Sequence, residues 1–252
     1  MKRLGLLNMF ICGWAMVSSA QLIGLTTASD KALGDQLKQV EALPKEQRSP
    51  VLMIGDSMMR LLGNALEKEL GKIPDVKASS FTSLGSGLAR LDAFDWMAKS
   101  IALMDEKKPS TVIVSLGAND HQVLVDLTGK KILVDTPAWS QEYGRRISQI
   151  MGLLIQGGAK RIIWLTLPDM KDPTHQRYAQ TVNKIVAEQA ATHPAVTLFD
   201  TAPILARKQG KFVSYVMGAD GSVITVRDPD GIHLSTDGAK RLAQALALAY
   251  WK

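Results

Sequence analysis

Four apolar runs recur along this chain with little polar interruption: "VLMIG" at 51–55, "TVIVSLG" at 111–117, "RIIWLTL" at 161–167 and "VTLFD" at 196–200. A fifth, "VKASS" at 76–80, is weaker. Short β-branched runs that do not alternate with polar residues suit strands buried on both faces of a parallel sheet. The stretches between them read as helices at 58–70, 94–107, 138–157 and 173–192, with a last one at 236–250. Alternation of this kind predicts an α/β fold. It is a three-layer α/β/α sandwich around a mostly parallel five-stranded sheet, flavodoxin-like, with right-handed crossovers.

Two segments depart from the pattern. "HQVLVDLTGKKILVDTP" (121–137) alternates apolar and polar residues around Thr128-Gly129-Lys130, and "KFVSYVMGADGSVITVRDPDG" (211–231) does so around Ala219-Asp220-Gly221. Both patterns predict hairpins. Both follow strand ends, where an open parallel sheet carries its ligand site. They are candidate walls of a substrate groove or simply structural hairpins.

The N-terminus has a third pattern: Lys2 and Arg3, an apolar run, then Ser18-Ser19-Ala20. Residues 1–28 fit an export signal, cut after Ala20 or Ala28. Leu4 to Leu25 is equally long enough for an uncleaved anchor, oriented by Lys2 and Arg3 with the domain outside. Both versions predict an exported, periplasmic protein. Residues 29–49 are polar and charged and read as a short linker or stalk, leaving 50–252 as the working domain.

Composition then removes whole classes of function. At 252 residues, 46% of them hydrophobic, the chain can bury one substantial core. The net charge of +6 falls to +4 without Lys2 and Arg3, and the remaining cations are scattered among acids. No basic stripe interleaves with aromatics, which argues against nucleic acid. The single cysteine, Cys12, lies in the leader, so the domain has no disulfide, thiolate metal site or cysteine nucleophile. No histidine pair has metal-ligand spacing, and "GSG" at 85–87 lacks the rest of a phosphate or dinucleotide loop. Neither a metal nor a cofactor is expected.

Oxygen chemistry remains. In "VLMIGDSMMR" a buried strand runs into Gly55-Asp56-Ser57 with no polar loop between. Asp56 or Ser57 can cap the next helix, or the strand can present Ser57 as a nucleophile at a helix N-terminus. The sharper Gly-x-Ser-x-Gly elbow is absent, since Met59 occupies the last position. A serine needs a base. His175 and His193 read as surface residues, and His121 follows the third strand. His233 sits in "RDPDGIHLSTDGAKRLA", three residues after Asp230, with Gly231 permitting a tight turn. An aspartate so placed can accept the Nδ1 proton and leave Nε2 for the serine. Asp228, in the same stretch, is the competing acid. In "SLGAND" (115–120) the strand delivers Asn119 to the same sheet edge, as a turn residue or an oxyanion donor. Arg60 and Arg90, three residues beyond Ser57 and Gly87, are candidates for flanking a substrate, as is His121.

Taken together, Gly-Asp-Ser, the glycines of "SLGSGL", Gly-x-Asn-Asp and Asp-x-x-His resemble the SGNH (GDSL) hydrolase superfamily, in order and spacing, over residues 50–250. "GDSMMR", "SGLARLDAFDW", "SLGANDHQ" and "DGIHLSTDGAKRLA" look more narrowly like its exported bacterial DUF459 branch. The resemblance implies Ser57 as nucleophile, His233 as base and Asp230 as its orienting acid. It also implies an oxyanion hole from Ser57, Gly87 and Asn119, with Gly85 the alternative to Gly87. The expected activity is that of a serine esterase on ester, chiefly O-acetyl, groups of a cell-envelope or exported polysaccharide. An O-acetyltransferase using the same residues is the alternative, alongside a membrane-bound acyltransferase, and a silent glycan-binding module is the third reading.

Overall fold

In the computed structural model, described for residues 37–38, 40–125, 128–205, 211–218 and 221–251, the elements follow the predicted order. Strands β1 (Val51–Gly55), β2 (Ala78–Thr82) and β3 (Thr111–Ser115) alternate with helices α1 (Ser57–Leu70) and α2 (Trp96–Lys107). Strand β4 (Leu124–Val125) pairs antiparallel with β5 (Lys131–Ile132), as the first hairpin pattern predicts. Helix α3 (Pro137–Gln156), β6 (Arg161–Leu165), α4 (Pro173–Ala190), β7 (Val196–Phe199) and a four-residue α5 (Ala202–Leu205) follow. The second hairpin is β8 (Tyr215–Met217) with β9 (Val223–Thr225), and α6 (Thr236–Tyr250) ends the series. The tips of the two hairpins lie partly outside the described residues, as does the whole leader.

The central sheet is five-stranded and parallel throughout, in the order β2-β1-β3-β6-β7. Strand residues divide alternately between its two faces. Val51, Met53, Ile113 and Ile163 pack under α1 and α6, whereas Leu52, Ile54, Val112, Val114 and Ile162 face α2, α3 and α4. β1 and β3 are buried at every position, so the missing polar alternation in their sequences reflects a helix layer on each side. β2 lies at an edge and is half-buried along its length. It begins two residues later than its sequence suggests, because Ala78, and not Val76, comes opposite Val51.

The segment read as a polar stalk is docked on the domain, with Leu37 and Leu43 in the core and Val40 packed against it. Leu43 is buried in the core and its N–H donates to the Tyr250 carbonyl, while Trp251 Nε1 donates to the Arg48 carbonyl. Charged residues around these anchors hide them from a reading by composition. Among the described residues no helix is long and apolar enough to cross a membrane. The candidate anchor at Leu4 to Leu25 lies outside them.

The strand order reverses direction between β1 and β3. In open α/β sheets that switch point is where ligands bind. Ser57 follows β1 and Asn119 follows β3.

Candidate active site

Asp56, and not Ser57, caps α1. Its Oδ1 accepts from the Met58 N–H at 2.8 Å, which leaves Ser57 in the first helical turn with its hydroxyl free. Asp56 Oδ2 also accepts from Gly117 N and Ala118 N, at 3.1 and 3.2 Å, and so ties the ends of β1 and β3 together. The cap falls to Asp56, and the Ser57 hydroxyl is not used for capping.

His233 reaches Ser57 from the loop before α6. Its Nε2 lies 2.8 Å from Ser57 Oγ and its Nδ1 2.6 Å from Asp230 Oδ2. Asp230 Oδ1 accepts from the N–H groups of Ile232 and His233, so the carboxylate also shapes the turn. Gly231 takes φ +74 in that turn, and a Cβ there would lie 2.3 Å from Lys171 Cβ. Partial burial works to raise the Asp230 pKa, but the bonds from the His233 ring and the two backbone N–H groups outweigh it and hold the carboxyl at about 2. Asp228 takes part through its backbone, its N–H bonded to His233 O and its carbonyl to Gly231 N. The competing acid is therefore a turn residue.

Arg227 went unnoticed in the sequence. It is 2% exposed, and burial pushes its guanidinium down to about 10. It donates to Asp169 O at 2.6 Å and Ile232 O at 2.7 Å, pinning the histidine loop to the loop after β6. An arginine inside "VRDPDG" carries no local sign that it will be buried.

The structure separates the two candidate glycines. Gly85 is exposed with φ +68 and open space around it. Gly87 is buried, and among the described residues its N–H has no acceptor. The Ser57 N–H likewise has none. Asn119 Nδ2 donates to Ser86 O at 2.9 Å, joining the β3 loop to the Gly87 loop. One amide hydrogen is thus used for assembly and one is left over. Ser57, Gly87 and Asn119 follow three different strand ends, those of β1, β2 and β3.

The flanking candidates fare differently. Arg60 is exposed, and Arg90 is held in an exposed bidentate pair with Asp92 at 2.7–2.8 Å. His121 Nε2 lies 3.2 Å from both Asp135 oxygens, and its ring is tilted against that of Tyr178 with centroids 4.6 Å apart. His175 is half exposed beside Asp172, and His193 bonds within its own turn. Among the described residues no cluster of three or more His, Cys, Asp or Glu could hold a metal ion.

The fold is a five-stranded parallel α/β sheet with a serine, a histidine and an aspartate in hydrogen-bond sequence at its switch point. The family model "Protein of unknown function (DUF459)" matches residues 50–249, and the chain belongs to that family. It is similar in structure to a member of the lipolytic protein G-D-S-L family from Veillonella parvula DSM 2008. That likeness has 16% identity and a TM-score of 0.53, covering 78% of this chain and 96% of the other. The acetyl xylan esterase AlAXEase is similar at 14% identity and a TM-score of 0.50, covering 78% and 97%. No curated protein matches the sequence. At these identities the neighbours share the fold.

Proposed function

We propose that this protein is an exported serine esterase that removes O-acetyl groups from a cell-envelope or exported polysaccharide. The observation that carries the reading is the continuous chain Ser57 Oγ–His233 Nε2 and His233 Nδ1–Asp230 Oδ2, at 2.8 and 2.6 Å. His233 takes the Ser57 proton as Oγ attacks the ester carbonyl, and Asp230 stabilises the imidazolium that forms. The N–H groups of Ser57 and Gly87 and the spare Asn119 amide hydrogen meet the developing oxyanion. His233 returns the proton to the departing alcohol oxygen. It then deprotonates a water that attacks the acyl-serine, releasing acetate and regenerating Ser57. Export rests on the leader with Lys2 and Arg3, and the carbohydrate on the family resemblance, for which a fold-sharing acetyl xylan esterase gives a precedent.

A second reading has its own observation. His121, two residues after Asn119, is paired with Asp135 through Nε2, and its Nδ1 has no partner among the described residues. An imidazole so held can orient a sugar hydroxyl in place of the attacking water, which makes the same triad an O-acetyltransferase fed by a membrane-bound acyltransferase. Mass spectrometry of the purified domain with an acetylated oligosaccharide and an unacetylated acceptor distinguishes the two. Free acetate supports the esterase, and acetate on the acceptor supports the transferase. No change in either sugar would leave a glycan-binding module.

A further inference from the structure

Asp120 takes no part in the proposed chemistry, yet it is fully buried at the edge of the oxyanion hole. Its Oδ1 accepts from the Ala89 N–H at 2.8 Å and its Oδ2 from the Tyr143 hydroxyl at 2.8 Å. It also lies directly over Gly87, where a Cβ would stand 1.9 Å from Oδ1. The loop that Asp120 grips is gripped from its other side as well. Arg146, 3% exposed, donates to the carbonyls of Leu88 and Ala89 at 2.6 and 3.1 Å. Tyr143 and Arg146 lie three residues apart on α3 and so point the same way.

We propose that Asp120 is the positioning residue of the oxyanion hole, holding the Gly87 N–H and the Asn119 amide in one geometry with Tyr143 and Arg146 behind it. The proposal rests on the serine reading and extends it to residues that never touch substrate. Gly87 and Asn119 come from loops after different strands, and backbone pairing within the sheet does not fix the distance between them. The direct ties are Asn119 Nδ2 to Ser86 O and Asp120 Oδ1 to Ala89 N. Residue 120 thus follows the side-chain donor in sequence and grips the neighbourhood of the backbone donor in space. The need for glycine at 87 follows as well: any larger residue displaces either the carboxylate or the loop. Burial raises the Asp120 pKa, and the bonds from Ala89, Leu88 and Tyr143 and the nearby Arg146 oppose that rise.

The test is steady-state kinetics on p-nitrophenyl acetate, per molecule titrated with a fluorophosphonate, for the wild-type protein and three variants. Asp120→Ala releases the loop, and a displacement near 1 Å costs about 10²-fold in kcat with KM held within about twofold. Asp120→Asn keeps one oxygen for Ala89 N–H and offers its amide to the Tyr143 oxygen, so it should restore kcat to within about tenfold of wild type. Tyr143→Phe, which removes only the far bond, should lower kcat about tenfold at unchanged KM and keeps the test open if the alanine variant does not fold. Parental kcat in Asp120→Ala or Tyr143→Phe, whatever the melting temperature, overturns the positioning role. So does a loss carried by KM. Turnover that survives Ser57→Ala instead removes the serine reading beneath it, and that result is read separately from the three variants.

Discussion

His233 and Ser57 are 176 positions apart in the chain, and Nε2 of one stands 2.8 Å from Oγ of the other. The contact is made because β1 delivers Ser57 to the sheet edge while Ser235, capping α6 through Gly238 N–H, fixes the loop that carries His233. A nucleophile so placed should react with a fluorophosphonate. Labelling is expected at Ser57, and Ser57→Ala should abolish both the label and p-nitrophenyl acetate turnover. Ser86 is the informative control, since its hydroxyl is spent donating to Ser83 O and accepting from Trp96 Nε1. Label on Ser86, or label that persists in Ser57→Ala, would refute the assignment.

The two aspartates near the histidine should separate cleanly. Asp230→Asn loses the acceptor at Nδ1, and the equivalent change in serine proteases costs about 10⁴-fold in kcat. Asp228 acts through its backbone, so Asp228→Asn should keep the rate within about an order of magnitude of wild type. Comparable losses in the two variants would mean that Asp230 does no more than shape the turn.

Asn119→Ala removes the proposed oxyanion donor together with the bond to Ser86 O. kcat should fall by about 10²–10³ with KM nearly unchanged. Losing the loop tie should lower Tm modestly in the same preparation. A variant that melts early but turns over at the parental rate per folded molecule assigns Asn119 to structure alone.

Asp56 predicts a pH dependence of stability. Burial raises its pKa to about 7 despite three backbone N–H bonds, with Asp120 adding repulsion. A group with a raised folded pKa gives its full stabilisation below the ordinary carboxylate range and loses it as pH rises to about 7. Asp56→Asn leaves Gly117 and Ala118 N–H without a matching acceptor and should cost about 1–3 kcal/mol. The margin between wild type and variant should therefore be larger at pH 4 than at pH 8. Denaturant titrations showing a margin that is flat, or that grows with pH, would contradict the assigned direction.

The layered architecture was legible in the pattern of side-chain types along the chain. Runs such as "VLMIG" and "TVIVS" lack polar alternation because helices cover both faces, and that burial is written locally in side-chain type. The Asp230–His233 pair was also legible, because three residues and one glycine contain the whole geometry. Tertiary structure set the polar contacts between distant loops. It gave the cap to Asp56 and placed the His233 ring on the Ser57 hydroxyl, and it set Asp120 against the bare Cα of Gly87 while leaving Gly85 in open space. It also buried Asp120, Arg146 and Arg227, residue types that composition assigns to solvent. Apolar residues announce their burial by where they recur, but a buried charge is tolerated only through partners supplied by other strands. Those partners depend on sheet order and register, which no local pattern in the sequence encodes.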